Sequence, residues 1–455
     1  MIVQRLSLPI LWRTFREKIL RRKFVHDVGA LVVANCGGAG LSLIQGLLVA
    51  RWLGPEQYGI SALVMSYPGL VYTFFDAHCA EASVKYLSEF HAGGDRNRVL
   101  AMCKLGYAVD LGIAISTFIV VSLTAPWAAR GLALHPGTGQ LIIVYTAAFI
   151  PRALQGTSYS VLATLGRFSV IAWLDIVTVS ARAALVLGLV FFGWQVAGVV
   201  WGNALAIVLN GILYLAAAHT LSRRAWDASP LQGDWKALKG RKREIFGFLA
   251  YNDLTVLLGM IPKQLDVLLL GYFRNPTQVG YYKLAQGLAS TVGYLVRPLQ
   301  SVIYPRLSFL AGAGRQSELN RLVRQAAFSI GAPLACLTLI AIPVLPVLVS
   351  KLLATYMPAV FAAQIMTAGM AVWLAFFWLR PTYMALGEVS EWFKLNLVGA
   401  SILLVGMFIV TSFWGYIGLA FWIMAGQVWG QGLFAGWLIL RRWRLAEAVA
   451  KPEAV

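Results

Sequence analysis

The chain has 455 residues, of which 59% are hydrophobic and 13% are charged, and its mean hydropathy is +0.71. Soluble domains carry about 25% charged residues, so this composition excludes an ordinary soluble protein and predicts an integral membrane protein. The net charge of +19 then has a simple origin in cytoplasmic loops, and nucleic-acid binding is not expected. The four cysteines fit neither a zinc site nor a disulfide framework, so neither a metal nor another cofactor is expected.

The N-terminal segment, 1–25, is basic and contains seven Lys and Arg side chains. It lacks the continuous apolar core of a cleavable signal peptide, so none is expected. Helical spacing of its large apolar residues predicts an amphipathic helix on the inner membrane surface, with a disordered basic tail as the alternative. These residues are Leu8, Leu11, Trp12, Phe15 and Ile19.

Long apolar runs follow, and they exceed the roughly 10 residues of a membrane barrel strand, so we predict an all-α polytopic membrane protein. The twelve predicted spans are 27–52, 59–84, 104–125, 139–163, 168–192, 196–219, 246–272, 279–304, 325–349, 359–385, 392–412 and 417–440. They fall into an N-terminal half (26–220) and a C-terminal half (246–440), with a basic cytoplasmic linker at 221–245 and a tail at 441–455.

Charge fixes the predicted orientation. With the N-terminus inside, 27 of the 38 Lys and Arg residues fall in inner segments, four fall in outer turns and seven fall within spans. Because cytoplasmic loops are the ones that accumulate Lys and Arg, both termini are predicted to be cytoplasmic.

The two halves repeat one another. Pro55, Gln57 and Gly59 recur at a constant offset of 221 as Pro276, Gln278 and Gly280. Further matches at an offset of 220 or 221 are Gly94 with Gly314, Gly166 with Gly387, Trp194 with Trp414, and Gly198 with Gly418. Six spans per copy is an even number, so the copies enter the membrane in the same sense. The repeat therefore predicts two six-helix lobes about a pseudo-two-fold axis along the membrane normal, an arrangement typical of transporters.

The stretches around the repeated turns resemble a known family. They are VARWLGPEQYGISAL at 49–63, LDVLLLGYFRNPTQVGYYKLAQGL at 265–288 and YPRLS at 304–308. They are similar to the polysaccharide-transport branch of the multidrug/oligosaccharidyl-lipid/polysaccharide exporter superfamily, which includes O-antigen and exopolysaccharide-unit flippases. The resemblance implies a flippase in the bacterial cytoplasmic (inner) membrane for polyprenyl-diphosphate-linked oligosaccharides. The expected partners are this substrate and membrane lipids, and the expected oligomeric state is a monomer.

Basic residues within spans are the candidate substrate ligands, because ionisable groups at membrane depth are costly and by default indicate a site. Arginine binds phosphate oxygens in a bidentate way, which suits a diphosphate. The candidates are Arg152, Arg182, Lys263, Arg297 and Arg380, and the alternative for each is a structural pair or a position at the interface. Lys283 and Lys394 lie near span ends and are predicted to reach the membrane interface.

Acidic residues within spans are candidates for proton or sodium coupling. Asp266 lies three residues from Lys263, so the two share one helix face and form either a neutralised pair or a coupling site. Asp76 and Arg297 occupy equivalent positions in the two halves, and we predict an inter-half gate between them, or separate local partners. Asp175 and Arg182 are seven residues apart, about two turns, so each is expected to have another partner.

Other classes fit less well. A membrane glycosyltransferase needs a water-accessible acid or base, and the outer turns are short, so no enzyme is predicted. An ion-coupled drug antiporter of the same superfamily is the closest alternative, although its cavity is expected to be acidic or apolar. A lipid II flippase and a non-transporting scaffold are the remaining alternatives.

Overall fold

The computed structural model describes residues 8–76, 79–132, 134–135, 137–241, 244–245, 264–293, 296–439 and 441. Within these ranges all the regular structure is helical and no strand occurs. The helices are α1 (Leu8–Phe75), α2 (Cys79–Ala92), α3 (Arg96–Gly131), α4 (Thr138–Ala147), α5 (Phe149–Thr164), α6 (Phe168–Leu189), α7 (Gln195–Trp226), α8 (Gln264–Phe273), α9 (Pro276–Gly293), α10 (Val296–Gly312), α11 (Gln316–Ala326), α12 (Ala332–Ala341), α13 (Val344–Leu352), α14 (Ala359–Ala375), α15 (Leu379–Ala385) and α16 (Val389–Gly426).

Five helical segments of the described chain are long and apolar enough to cross a membrane. They are Arg96–Gly131, Phe168–Trp226, Gln316–Ala341, Ala359–Ala385 and Ser390–Ile439. Two of them are 59 and 50 residues long, and each contains a non-helical glycine, Gly193 and Gly415 respectively. These bends lie between neighbouring predicted spans. The chain is therefore a multi-pass helical membrane protein, while the count of twelve spans stays a prediction.

The first repeated turn is a bend inside α1. Gly54 has φ 74° and ψ 172°, which interrupts the helix, and Pro55 then starts its second part. Proline is well placed there because the first helical turn needs no N–H from it and favours its fixed φ. The bend falls between the predicted spans 27–52 and 59–84.

One predicted span is not a continuous helix. The span predicted at 59–84 breaks after Phe75. Asp76 lies outside any helix at this break, where a short acidic side chain competes with helical hydrogen bonds. The span predicted at 279–304 is helical as α9 and α10 on both sides of residues 294–295, which lie outside the described residues.

The predicted repeat is visible in the backbone of the connecting turns. Gly94 has φ +69° and Gly314 has φ +68°, a left-handed conformation that suits glycine. The amide of Gly94 donates to His91 O at 3.1 Å, and the amide of Gly314 donates to Ala311 O at 3.1 Å. The bends after α6 and within α16 also match at an offset of 220, since Gln195 (φ 47, ψ -128) and Gly415 (φ 59, ψ -146) share one conformation.

The segment after α7 folds onto the N-terminal half. Trp226, Leu238 and Ile245 are buried against Tyr86 and Phe90 of α2 in one hydrophobic cluster. Polar contacts fix the same segment, because Arg96 donates to Asp227 O at 2.7 Å and Trp226 Nε1 donates to His91 Nδ1 at 3.1 Å. The residues predicted only to join the halves therefore also fill a groove between α2 and α3.

Candidate functional site

The N-terminal half places Arg182 of α6 against α1. Its Nη2 donates to Ser42 Oγ at 2.5 Å, and Ser42 Oγ in turn donates to Gly38 O at 2.7 Å. Because the hydroxyl proton goes to the Gly38 carbonyl, the oxygen can accept from the guanidinium. Ser42 therefore fixes the orientation of a positive charge at the surface between two helices.

Arg152 of α5 lies nearby and is held by aromatic rings. Its guanidinium carbon is 5.7 Å from the Tyr72 ring centroid and 5.5 Å from that of Phe149, distances typical of cation–π contacts. Both guanidinium groups are within electrostatic range of the Tyr145 hydroxyl, so Arg152 and Arg182 share one neighbourhood. Arg152 is exposed and Arg182 is half-buried, so the two guanidinium groups bring positive charge together near the surface between these helices.

Asp175 lies on the same helix as Arg182 and has a partner of its own. Tyr214 Oη of α7 donates to Asp175 Oδ1 at 2.6 Å. The sequence prediction that Asp175 and Arg182 have separate partners is thus confirmed. The half-buried carboxylate also lies within electrostatic range of the exposed Tyr159.

A cavity between the halves adjoins this group. It has a volume of about 190 Å³ and includes Ser42 and Tyr58 of α1 on one side, and Leu284, Ser290 and Thr291 of α9 on the other. Because Ser42 both lines this cavity and bonds to Arg182, the arginine lies at its edge. The N-terminal half thus brings Arg152, Arg182 and the inter-half cavity together.

The other predicted ligands are not assembled there by any described contact. Arg380 is exposed at the start of α15, at the position equivalent to Tyr159. Lys263 lies outside the described residues, and so does the side chain of Arg297, whose backbone belongs to the first turn of α10. Asp76 is half-buried, and its amide donates to Tyr72 O at 2.9 Å. The ring of the same Tyr72 contacts Arg152.

The C-terminal half contains a buried polar network around Asp266. The carboxylate is 1% exposed and accepts from Tyr282 Oη at 2.7 Å and Gln286 Nε2 at 2.9 Å on α9. The amide of Val267 donates to its other oxygen at 2.6 Å. Lys283 Nζ donates to Gln286 Oε1 at 2.9 Å and interacts electrostatically with Asp266.

Lys283 corrects the sequence analysis, which placed it at the membrane interface. The α9 helix turns its lysine toward α8, where the carboxylate of Asp266 offsets the cost of burying a cation. Lys394, by contrast, is exposed and pairs with Glu391 at 3.1 Å. The four-residue spacing of Tyr282 and Gln286, which puts them on one helix face, was a sequence signal that could have identified this network.

The two repeated turns meet across the interface between the halves. A Cβ atom on Gly59 would overlap Pro276 O, and a Cβ atom on Gly280 would overlap Pro55 O. Each glycine therefore permits close approach of the other turn's backbone. Nearby, Tyr356 Oη donates to Ala50 O at 3.1 Å, which also links the halves.

Residues 24–311 match the model of the polysaccharide biosynthesis protein family. The chain belongs to this family. The matched range includes both repeated turns, Arg152, Arg182 and Asp266, so the resemblance inferred from sequence is confirmed at family level.

One curated relative is named a probable low-salt glycan biosynthesis flippase, Agl15, from Haloferax volcanii. It is 22% identical over 300 residues, which cover 64% of this chain and 57% of that protein. The alignment thus spans little more than half of the relative.

Two solved structures share the fold. One is an inward-facing multidrug resistance MATE family transporter of the MOP superfamily, with a TM-score of 0.73, 13% identity, and coverage of 90% of this chain and 95% of that one. The other is the lipid II flippase MurJ in an inward closed conformation, with a TM-score of 0.71, 13% identity, and coverage of 90% and 87%. At this identity the likeness establishes the architecture alone.

Proposed function

We propose that the protein is a flippase that moves a polyprenyl-diphosphate-linked oligosaccharide from the cytoplasmic to the outer leaflet. One observation carries this proposal, namely that Arg152 and Arg182 lie together beside a cavity between the halves of a transporter-like fold. Guanidinium groups remain charged and bond phosphate oxygens in pairs, which suits a diphosphate that leaves water. Membership of a polysaccharide biosynthesis family and the name of the Haloferax relative support the same substrate class.

Transport proceeds in this proposal by alternating access of two six-helix lobes, with twelve spans and both termini in the cytoplasm of a bacterial cell. The contact of the Pro55–Gly59 and Pro276–Gly280 turns is then the closed outer mouth. The substrate binds from the cytoplasmic side, with Lys263, Arg297 and Arg380 as further cations. The protein acts as a monomer in the cytoplasmic membrane and performs no covalent chemistry.

Coupling to a proton or sodium gradient is proposed at Asp266. The carboxylate is the most enclosed acid described in the C-terminal half, and its neighbours Tyr282, Gln286 and Lys283 provide a network that loss or gain of a cation would rearrange. Asp76 is the second candidate. Its proposed gate with Arg297 brings the two charges together when the inner mouth closes and separates them when it opens.

Reconstitution tests the function directly. Proteoliposomes containing a fluorescent polyprenyl-diphosphate disaccharide should show protein-dependent flipping that Arg182→Ala lowers by roughly ten- to hundredfold, since a hydrogen bond to a charged group contributes about 1.5–3 kcal/mol. Arg182→Lys should recover part of the activity because it retains the charge. Arg130→Ala is the matched control, since it removes an exposed arginine at the end of α3. Equal flipping in all four proteins would contradict the proposal.

An ion-coupled drug antiporter is the alternative, and Asp175 is the observation that favours it. A half-buried carboxylate on the same helix as Arg182 could hold an organic cation. The same proteoliposomes loaded with a fluorescent cationic dye distinguish the two functions. Dye export abolished by Asp175→Asn, without flipping of the diphosphate lipid, would establish the antiporter.

A further inference from the structure

The two halves contain equivalent grooves that differ in what they hold. In the N-terminal half, the groove between α2 and α3 is filled by residues 226–241 and 244–245, with Leu238 and Ile245 buried in it. Gly233 packs directly on the backbone of Leu100, so the segment sits deep in the groove. An offset of 220 places the equivalent groove between α10 and α11.

The groove between α10 and α11, here termed the open groove, is a cavity of about 560 Å³ that no part of the described chain fills. Its lining includes Arg306, Phe309 and Leu310 from α10, and Arg321, Leu322 and Gln325 from α11. Phe309 is 69% exposed and gives the groove an accessible apolar surface. The volume lies within the range of about 300–1,000 Å³ that is typical of ligand sites.

The charges of the open groove are specific to the C-terminal half. Arg306 and Arg321 occupy the positions of Tyr86 and Ala101 in the N-terminal half, where no charge is present. Glu318 also lines the groove, but its carboxylate lies 3.6 Å from Arg315 Nη1, and this pairing offsets its charge. The open groove therefore presents two guanidinium groups, one from each helix, beside an apolar surface.

We propose that the open groove binds the diphosphate head group of the lipid-linked substrate before it enters the cavity between the halves. This inference rests on the proposed function and on the predicted cytoplasmic position of the groove. Arg306 and Arg321 bind the phosphate oxygens, and Phe309, Leu310 and Leu322 contact the first isoprenoid units. A site that is half cationic and half apolar matches a ligand that carries both characters.

The helix α10 links the open groove to other predicted ligands. Arg306 and Arg297 both lie on α10, nine residues apart, which corresponds to about 13 Å along the helix axis. The helix α15, which carries Arg380, packs against α10. The open groove therefore shares α10 with Arg297 and adjoins the helix that carries Arg380.

A polypeptide is the other class of occupant, because a polypeptide fills the equivalent groove. There, Arg241 of the filling segment bonds to Glu89 of α2 at 2.5 Å and to Glu244 at 2.8 Å, while Tyr86 donates to Glu244 at 3.4 Å. In the open groove Phe309 replaces Glu89, so the acceptor that anchors this arginine is missing. The Glu89 contact that helps to hold the polypeptide is therefore not available in the open groove, and an anionic ligand is favoured.

Binding to the full-length protein in phosphatidylcholine nanodiscs tests the proposal, with fluorescent farnesyl diphosphate as the probe. Arg306→Gln with Arg321→Gln should weaken binding about tenfold or more, since charge-assisted phosphate contacts are lost. Arg324→Gln removes an exposed arginine of α11 that is absent from the groove lining, and it should bind as wild type does. In proteoliposomes the double variant should need more lipid substrate for half-maximal flipping and reach a similar maximal rate.

Equal probe binding by the double variant and Arg324→Gln would overturn the proposal. Equal competition by phosphatidylglycerol would also overturn it, because the groove would then be a general anionic-lipid surface. If the double variant binds the probe normally but no longer binds a synthetic peptide of residues 226–245, the groove is assigned to a polypeptide instead. If the Arg182→Ala variant flips the lipid as fast as wild type does, the proposed function itself is refuted. The two failures are therefore distinguishable.

Discussion

The charged cluster around Arg182 in the N-terminal half and the charged network around Asp266 in the C-terminal half lie in opposite environments. In the N-terminal half, Arg152 is exposed, Asp175 and Arg182 are half-buried, and Arg182 bonds to Ser42 at the inter-half cavity. In the C-terminal half, Asp266 is enclosed, with Tyr282, Gln286 and Val267 as donors. Burial thus separates two kinds of charged site. The N-terminal groups stay partly exposed, whereas Asp266 and its neighbours satisfy one another and fix the packing of α8 against α9.

The largest expected effect is on stability. Asp266→Ala removes the acceptor of two side chains and the negative charge near Lys283, so it should destabilise the protein by about 3–5 kcal/mol. Asp175→Ala leaves Tyr214 without its acceptor at a half-buried position, and should lower the free energy of unfolding by about 1 kcal/mol. Thermal unfolding followed by fluorescence-detected size-exclusion chromatography measures both. Equal shifts in melting temperature would remove the distinction between the halves.

A second effect concerns the repeated turns, where the halves should respond alike. Gly59→Ala and Gly280→Ala each force a methyl group against a proline carbonyl of the other turn, and each should cost about 1–3 kcal/mol. Gly112→Ala is the matched control, because nothing lies within 4 Å of its added Cβ, and alanine in that helix should stabilise by about 0.5–1 kcal/mol. A large cost at only one of the two turns would show that the contact is not reciprocal.

A smaller effect is expected at Ser42, on flipping rather than on folding. Ser42→Ala removes the hydroxyl that orients Arg182. Because this is a hydrogen bond between a neutral group and a charged one, its loss should lower flipping by roughly tenfold. Ser290→Ala changes the lining of the same cavity from α9, and its hydroxyl bonds to Gly287 O at 3.0 Å, so flipping should be nearly unchanged. Identical losses in both variants would mean that the cavity surface matters and the orientation of Arg182 does not.

The smallest effect is a pH dependence of the stability that the Arg241–Glu244 pair contributes at the groove between α2 and α3. The Arg241 guanidinium lowers the pKa of Glu244 below its ordinary value of 4.5, so the folded state gains stability from the carboxylate above that pH. This contribution is lost as the pH falls below 4.5 through the folded-state pKa. The difference in melting temperature between wild type and Arg241→Ala should therefore shrink between pH 6 and roughly pH 3. Lys239→Ala, an exposed change in the same segment, should show a constant difference from wild type.

The sequence predicted the features that depend on local pattern. Proline and glycine marked the bend at Gly54 and the repeated turns, and apolar runs located the membrane helices, because these signals act within a few residues. It did not locate the break after Phe75, where no run of helix-breaking residues stands out. It also missed Ser42, Tyr214 and Tyr282 as partners of the charged groups. Each of these pairs joins different helices, and helix packing brings them together at distances that no spacing within one helix reveals.

The matched turns at Gly94 and Gly314 allow the same substitution to be compared at two equivalent positions of one molecule. The two glycines have φ angles of +69° and +68°, and no atom lies within 4 Å of a Cβ added to either one. Alanine at either position therefore meets the same backbone strain, so the local chemistry of the two substitutions cancels when their effects are subtracted. The remaining difference in stability reports how strongly each turn is packed against the rest of its half. The Gly94 turn lies beside the groove that residues of the chain fill, and the Gly314 turn lies beside the open groove. A duplicated chain thus allows a mutation to be calibrated within a single protein, with no homologue needed as the standard.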